Sequence, residues 1–349
     1  MLRGKKVFLI TGGSGFLGGL VAEYLHKEGK NFVSVDCLTP AVTYSEGIYE
    51  KGDICAKDFM EGVFRRYSID VVFHFATQID FKVKNQRDLF TNNERTTEVV
   101  AELCCEYGVK KLIFTSSNSV YLGNPGGHLF SEKDRPIPAD EYGRSKIASE
   151  KLLEKYSGKF DIVIFRCPNI MDTGRVGMLS ILFDFVREGR KCWMIGNGQI
   201  YHQCIYAQDL IAAMFKALEL KGHYTFNIGT DRISTIREMY EGIISTAQSK
   251  SKVIALPSLF IPLLKLLNRL NLSPLGPYQF RMLTQDFGFD ISYIRSMLDW
   301  QPTLSNSEML TKAYEYYVSN IESMSSGDEV SANRSRAKMG IIKIVKLLS

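Results

Sequence analysis

Apolar residues in the N-terminal part of the chain come in short unbroken runs, separated by segments whose apolar spacing is that of a helix. Val7 to Ile10 has no polar residue on either face, which predicts a strand buried on both sides. Leu20 to His26 follows with helical spacing and stops at Gly29, a C-cap residue. Asn31 to Val35 is the next run; it ends in Asp36 and gives way to a variable loop leading to Gly52-Asp53-Ile54-Cys55. Asp58-Phe59-Met60 opens a helix, and Ile69 to Ala76 is a third buried strand, whose His74 reads as a hydrogen-bonded core residue rather than a catalyst. Asn92 to Tyr107 is a helix with Thr96, Val99, Val100 and Leu103 on one face; Gly108 ends it, and Lys111 to Thr115 forms the fourth strand. This alternation predicts an α/β fold with a doubly wound parallel sheet.

The first strand runs into glycines at 12, 15 and 18 and then into a helix. Glycines there let the backbone approach a pyrophosphate, and the open N–H groups and dipole of the helix start attract its charge. A glycine triplet alone is weak evidence. Asp36, about 20 residues further on at the end of the second strand, strengthens it. An acid at that place takes the ribose hydroxyls of an adenosine and repels a 2′-phosphate, so the expected cofactor is NAD rather than NADP. The competing account of Asp36 is a solvated loop acid.

The fourth strand continues into Ser116-Ser117-Asn118-Ser119-Val120-Tyr121, just past a strand C-terminus, where open α/β sheets bind ligands. Tyr142 and Lys146 then stand four apart at the start of a helix running through Leu153, so their side chains share a face. A free tyrosine titrates near pH 10, too high for a base at neutral pH. A neighbouring ammonium favours the phenolate, and a shift of roughly three units corresponds to about 4 kcal/mol. A serine hydroxyl can hold a substrate oxygen near such a phenol. Without the glycine turn and serine loop, Tyr-x-x-x-Lys is an ordinary helix surface.

Composition narrows the class only a little. The chain has 349 residues, 45% apolar and 23% charged, enough for one large α/β domain and a smaller lobe. The formal charge of +5 gathers partly in the C-terminal tail, at Arg334, Arg336, Lys338, Lys343 and Lys346, and does not argue for nucleic acid. Seven cysteines without a Cys-x-x-Cys spacing read as reduced thiols of a cytoplasmic protein, with no metal site. A strand within a few residues of the first methionine leaves no room for a signal peptide.

Together these residues resemble the extended short-chain dehydrogenase/reductases of the NAD-dependent epimerase/dehydratase family, over the chain from about Lys5 to Ser319. Thr11-Gly12-Gly13-Ser14-Gly15-Phe16-Leu17-Gly18 is similar to that family's Thr-Gly-x-x-Gly-Phe-x-Gly turn. The resemblance implies a Rossmann-type sheet and cofactor contacts from Gly12, Gly15, Phe16, Leu17, Gly18, Asp36, Asp53, Ile54, Phe75, Ala76 and Asn92, with Tyr142 and Lys146 shared with catalysis. It also implies catalysis by Ser117, Tyr142 and Lys146, and substrate contacts from Ser117, Asn118, Asn169 (in Arg166-Cys167-Pro168-Asn169), His202 and Arg281. Tyr206 to Leu210, Phe226 to Gly229 and Leu298 to Pro302 echo later landmarks, and a homodimer through a four-helix contact is implied. The departures matter. Asn118 and Ser119 stand where a dehydratase would carry acids, which disfavours sugar 4,6-dehydration. His202 replaces a frequent arginine, the later Arg-x-Gly-Asp is absent, and Arg281 is open between a diphosphate clamp and a structural salt bridge.

The expected organisation is a NAD-binding domain over 1–167, completed by about 200–230, with a substrate lobe from 168–199 and 231–319. A polar linker (320–337) and a basic amphipathic tail (338–349) follow, the tail suited to weak peripheral membrane contact. Leu256 to Leu267 is apolar but broken by two prolines and a lysine and too short to span a bilayer; it reads as a buried helix, or as a wall for a lipid-like substrate or a monotopic membrane contact. Three functions compete. The first is hydride chemistry on a secondary alcohol of a nucleotide-sugar, as epimerase or dehydrogenase. The second is the same chemistry on a sterol-like or other lipid alcohol, as in the hydroxysteroid dehydrogenases that share the fold. The third is a non-catalytic NAD-binding module.

Overall fold

A computed structural model describes residues 6–78, 86–123, 126–175, 177, 179–257, 262 and 285–322. Arg281, most of the apolar stretch from Leu256 to Leu267, and everything from residue 323 on, including the tail, lie outside the described residues.

Seven strands pair in parallel: β1 (Phe8–Thr11), β2 (Phe32–Asp36), β3 (Gly47–Lys51), β4 (Val71–His74), β5 (Lys111–Ser117), β6 (Asp161–Cys167) and β10 (His223–Asn227). Their order across the sheet is β10-β6-β5-β4-β1-β2-β3. The chain therefore winds outward from β1 to β3 and restarts at β4 on the other side. The carboxyl ends of β1 and β4 mark the reversal, which is where such sheets open a crevice. Register places Thr11 beside His74, and His74 beside Phe114.

The pleat divides the apolar runs between two cores. Phe8, Ile10, Phe73, Ile113, Val163 and Phe165 face one side, packed under α1 (Phe16–Lys27) and α6 (Ala207–Lys216). Val7, Leu9, Val33, Val72, Leu112 and Ile164 face the other, under α2 (Lys57–Arg66) and α3 (Gln86–Glu106). Two segments differ from the sequence pattern. The loop after Asp36 contains β3, whose residues are half-buried because it is the sheet edge. The helix expected from Asn92 begins six residues earlier, at Gln86. Lys111, at the start of β5, is buried yet satisfied: its Nζ donates to the carbonyls of Ala217 and Leu218 at 3.0 and 2.8 Å, and to that of Leu220, closing the carboxyl end of a helical segment.

A third core lies after β6. Short parallel pairs, β7 (Asn169–Met171) with β9 (Cys204–Tyr206) and β8 (Cys192–Ile195) with β11 (Val253–Leu256), stand beside α5 (Leu179–Arg187), α7 (Ile236–Thr246) and α9 (Asn306–Asn320), whereas α8 (Ser292–Leu298) packs on β10 in the first core. Phe183, Met239, Ile243, Met309 and Tyr317 fill this core. Among the described residues no helix is long and apolar enough to cross a membrane.

Candidate active site

The glycine turn is a tight crossing of backbone on backbone. Gly12 sits at φ +75°, and a Cβ on it would lie 2.8 Å from the Ala76 nitrogen; one on Gly18 would lie 2.2 Å from the Gly12 carbonyl oxygen. Gly15 precedes α1 in extended geometry, no side chain caps that helix, and its first turn holds no acid. The helix N–H groups are therefore left for an anion from outside the chain. Phe16 and Leu17 are buried beneath the turn. Asp36 accepts from the Ser14 amide at 2.9 Å and the Leu38 amide at 2.9 Å, fixing its carboxylate at the rim of the turn. Asp53 and the buried Ile54 follow the neighbouring strand, with Asp53 accepting from the Cys55 amide. Phe75 and Ala76 lie against Gly12, the Phe75 amide bonding to the Thr11 carbonyl. This cradle, closed to any Cβ and open to an anion, fits a dinucleotide.

β5 ends in Ser117, whose Oγ accepts from the Ser119 amide at 3.1 Å and donates to Asn118 Oδ1 at 3.3 Å. A short 3-10 turn, Asn118–Val120, packs onto the first turn of α4 (Glu141–Glu154) through Gly143, where a Cβ would stand 2.0 Å from the Ser119 carbonyl oxygen. Asp140 caps α4, accepting from the Gly143 amide. One turn in, Lys146 is buried, its Nζ donating to the Thr115 carbonyl at 2.9 Å and lying 5.6 Å from the Tyr142 ring centre. Burial brings the Lys146 ammonium down to about 8, with the Cys167 thiol and Glu150 pulling the other way. The structure thus brings together Ser117, Asn118, Tyr142 and Lys146 near the β1/β4 crevice. This arrangement can hold an oxygen, take its proton, and steady the phenolate.

Behind the site runs a buried polar chain. His74 Nδ1 pairs with the Thr11 hydroxyl at 2.7 Å, its Nε2 with Thr97 at 3.2 Å, and Thr97 with Ser149 of α4 at 2.9 Å. Burial, with Lys146 adding repulsion, brings the His74 imidazole down to about 3, so it is neutral. Glu150 and Arg166 form a buried ion pair at 2.6 Å that also takes in Ser116 and the Tyr121 hydroxyl.

Sequence reasoning missed Asn93. Asn92 is half-exposed and donates to the Gln78 side chain at 3.2 Å. Asn93 is buried, clamps the Gln78 backbone at both N and O, and reaches Ser145 Oγ of α4 at 3.2 Å. Its spacing from Thr97, one turn on and facing α4, was the available signal. Arg175 was missed too. The tight turn Asp172-Thr173-Gly174-Arg175 sends its guanidinium back to Asn169 Oδ1 at 3.2 Å and over the Phe16 ring at 5.5 Å. His202 is buried with its ring on Phe287, and its carbonyl accepts from Asn306 at 2.6 Å.

A parallel doubly wound sheet with this glycine cradle at its switch point is the architecture of dinucleotide-binding proteins. A model of the NAD dependent epimerase/dehydratase family matches residues 8–229. The chain belongs to that family, and NAD is its cofactor. It is similar to the uncharacterized protein y4nG of Sinorhizobium fredii, 32% identical over 326 residues, covering 92% of this chain and 81% of that protein. It is also similar to a UDP-glucose 4-epimerase of Mycolicibacterium smegmatis, 26% identical, covering 88% and 97%. Its fold matches the structure of the Thermotoga maritima UDP-glucose 4-epimerase with UDP-glucose at a TM-score of 0.77 and 22% identity, covering 90% of this chain and 99% of that one.

Proposed function

We propose that this enzyme oxidises a secondary alcohol of a nucleotide-sugar, and that it acts as an epimerase or a dehydrogenase rather than a dehydratase. The observation that carries the reading is the Lys146 ammonium, buried 5.6 Å from the Tyr142 ring and tied to the strand that ends in Ser117. Tyr142 takes the hydroxyl proton, Ser117 holds the oxygen, and Lys146 holds the cofactor's ribose while lowering the cost of the phenolate. The nicotinamide, when bound, accepts the hydride and can return it. No carboxyl follows Ser117 to protonate a leaving hydroxyl, since Asn118 and Ser119 occupy those positions. The nucleotide-sugar comes from the relatives' substrates, and the half-buried Asn169 side chain is the substrate contact carried over from the family.

The test is incubation of the full chain and NAD with UDP-sugars, dTDP-sugars and hydroxysteroids, followed by NMR of the product. Interconversion of sugar epimers, or release of a ketosugar with NADH, is expected. Turnover of a hydroxysteroid with every nucleotide-sugar inert would overturn it, as would a 4-keto-6-deoxy product.

A further inference from the structure

We propose that Arg175 reaches across from the substrate lobe to bind the diphosphate of the dinucleotide, and that the same guanidinium orients Asn169 toward the substrate. It rests on NAD as the cofactor and not on the choice of sugar.

Three observations converge. The first is the state of the α1 N-terminus. Gly15 gives it no side-chain cap and its first turn has no acid, so a ligand must supply the negative charge. A helix end offers roughly half an elementary charge, whereas a diphosphate carries two. A cation is wanted at the rim. The second is position: the Arg175 guanidinium lies 5.5 Å from the centre of the Phe16 ring, the first residue of that helix. A guanidinium carries five N–H donors in a planar fork, so one that binds Asn169 can also serve a phosphate.

The third is the turn that delivers it. Asp172 is buried and accepts from the Thr173 amide at 2.7 Å and from Gln208 at 2.7 Å, while the Arg175 amide closes the turn on the Asp172 carbonyl at 3.1 Å. Gly174 supplies the left-handed residue, φ +77°, that reverses the chain. The Asp172–Gln208 bond anchors this turn on α6, which packs on the same face of the main sheet as α1, so Arg175 is delivered to the rim of the glycine turn from a fixed base.

The contact with Asn169 gives the arginine a second consequence. A guanidinium has no acceptor, so the Asn169 atom facing it at 3.2 Å is the amide oxygen. The amide nitrogen is then left to donate to a substrate oxygen. Occupancy of the cofactor diphosphate, by fixing Arg175, fixes which end of Asn169 the substrate meets.

The test is titration of the full chain, freed of nucleotide, with NAD, with adenosine and with UDP, for the wild type, R175M and R175K. R175M is expected to weaken NAD about tenfold or more, the loss of a charge-assisted contact. Adenosine, which lacks phosphate, and UDP are expected to bind within about twofold of wild type, with R175K recovering part of the NAD affinity. Unchanged NAD binding in R175M would overturn the proposal, and so would loss of UDP with NAD retained. If R175M loses adenosine as well, R175K decides: NAD weakened with adenosine intact supports the proposal, and equal loss of both ends it. A wild type that takes up no NAD would instead indict the cofactor.

Discussion

At the scale of single residues, the site is a problem of charge in a dry place. Tyr142→Phe removes one oxygen and leaves the cradle untouched. Its turnover is expected to fall about 100-fold or more, while NAD affinity, which rests mainly on the glycine turn, is expected to fall by much less. Lys146, held down to about 8 by burial, is charged below that pH and loses its charge above it. The phenolate loses its partner in the same step, so kcat/KM is expected to decline as pH rises through about 8. His74 carries the opposite lesson, in stability rather than rate. It is brought down from 6.5 to about 3 by burial, so between those values the unfolded chain binds a proton that the folded chain refuses. Stability then falls as pH drops from 6.5 toward 3, by about 1.4 kcal/mol per pH unit for this one group. Thermal melts of wild type and His74→Gln across that window should show a shallower slope for the variant, whatever its absolute Tm.

At the scale of elements, the first turn of α4 against the 3-10 turn after β5 sets the distance between the tyrosine and the serine. Gly143→Ala would put a methyl 2.0 Å from the Ser119 carbonyl oxygen, a backbone atom that no rotamer change can remove. The helix must back away. Since 1 Å of misplacement costs on the order of 100-fold in rate, kcat should drop by about that much and NAD affinity by much less, because Lys146 rides on this helix while the glycine turn lies on another strand. Cofactor binding lost in step with kcat would show instead that the whole sheet had shifted. This contact also marks how far the sequence could be read. The strand, glycine turn and helix around Gly12 to Gly18 were legible because buried strands and tight turns write themselves in runs and glycines. That Tyr142 and Lys146 share a helix face was legible through their spacing. Gly143 was not, because its reason is a backbone 24 residues upstream in the chain. β3 was hidden by its half-buried edge position, and Asn93 by a neighbour of the same residue type whose side chain turns outward. Arg175 needed the fold to bring residue 175 to residue 16.

At the scale of the whole molecule, the segment from Trp300 to Asn306 holds the third core to the sheet. Trp300 donates from Nε1 to the Asp209 carbonyl at 2.8 Å, and Thr303 bonds the Asp209 carboxylate through both amide and hydroxyl. Asn306, fully buried at the start of α9, accepts from the Cys204 amide at 3.0 Å and donates to the His202 carbonyl at 2.6 Å. One side chain thus satisfies two main-chain groups of the segment around β9, whose strand pairs with β7 and its Asn169. Asn306→Ala strands both groups in a site too buried for bulk water. The expected cost is roughly 2 to 4 kcal/mol. Because β9 runs directly into α6, which packs on the main sheet, the loss should not stay local. Denaturant unfolding followed by tryptophan fluorescence and by NAD release should give midpoints that fall together in N306A. If the signal of Trp193, which packs against the third core, moves to a lower midpoint while NAD is held to the wild-type denaturant concentration, the third core unfolds as a separate unit, and the coupling assigned to Asn306 is wrong.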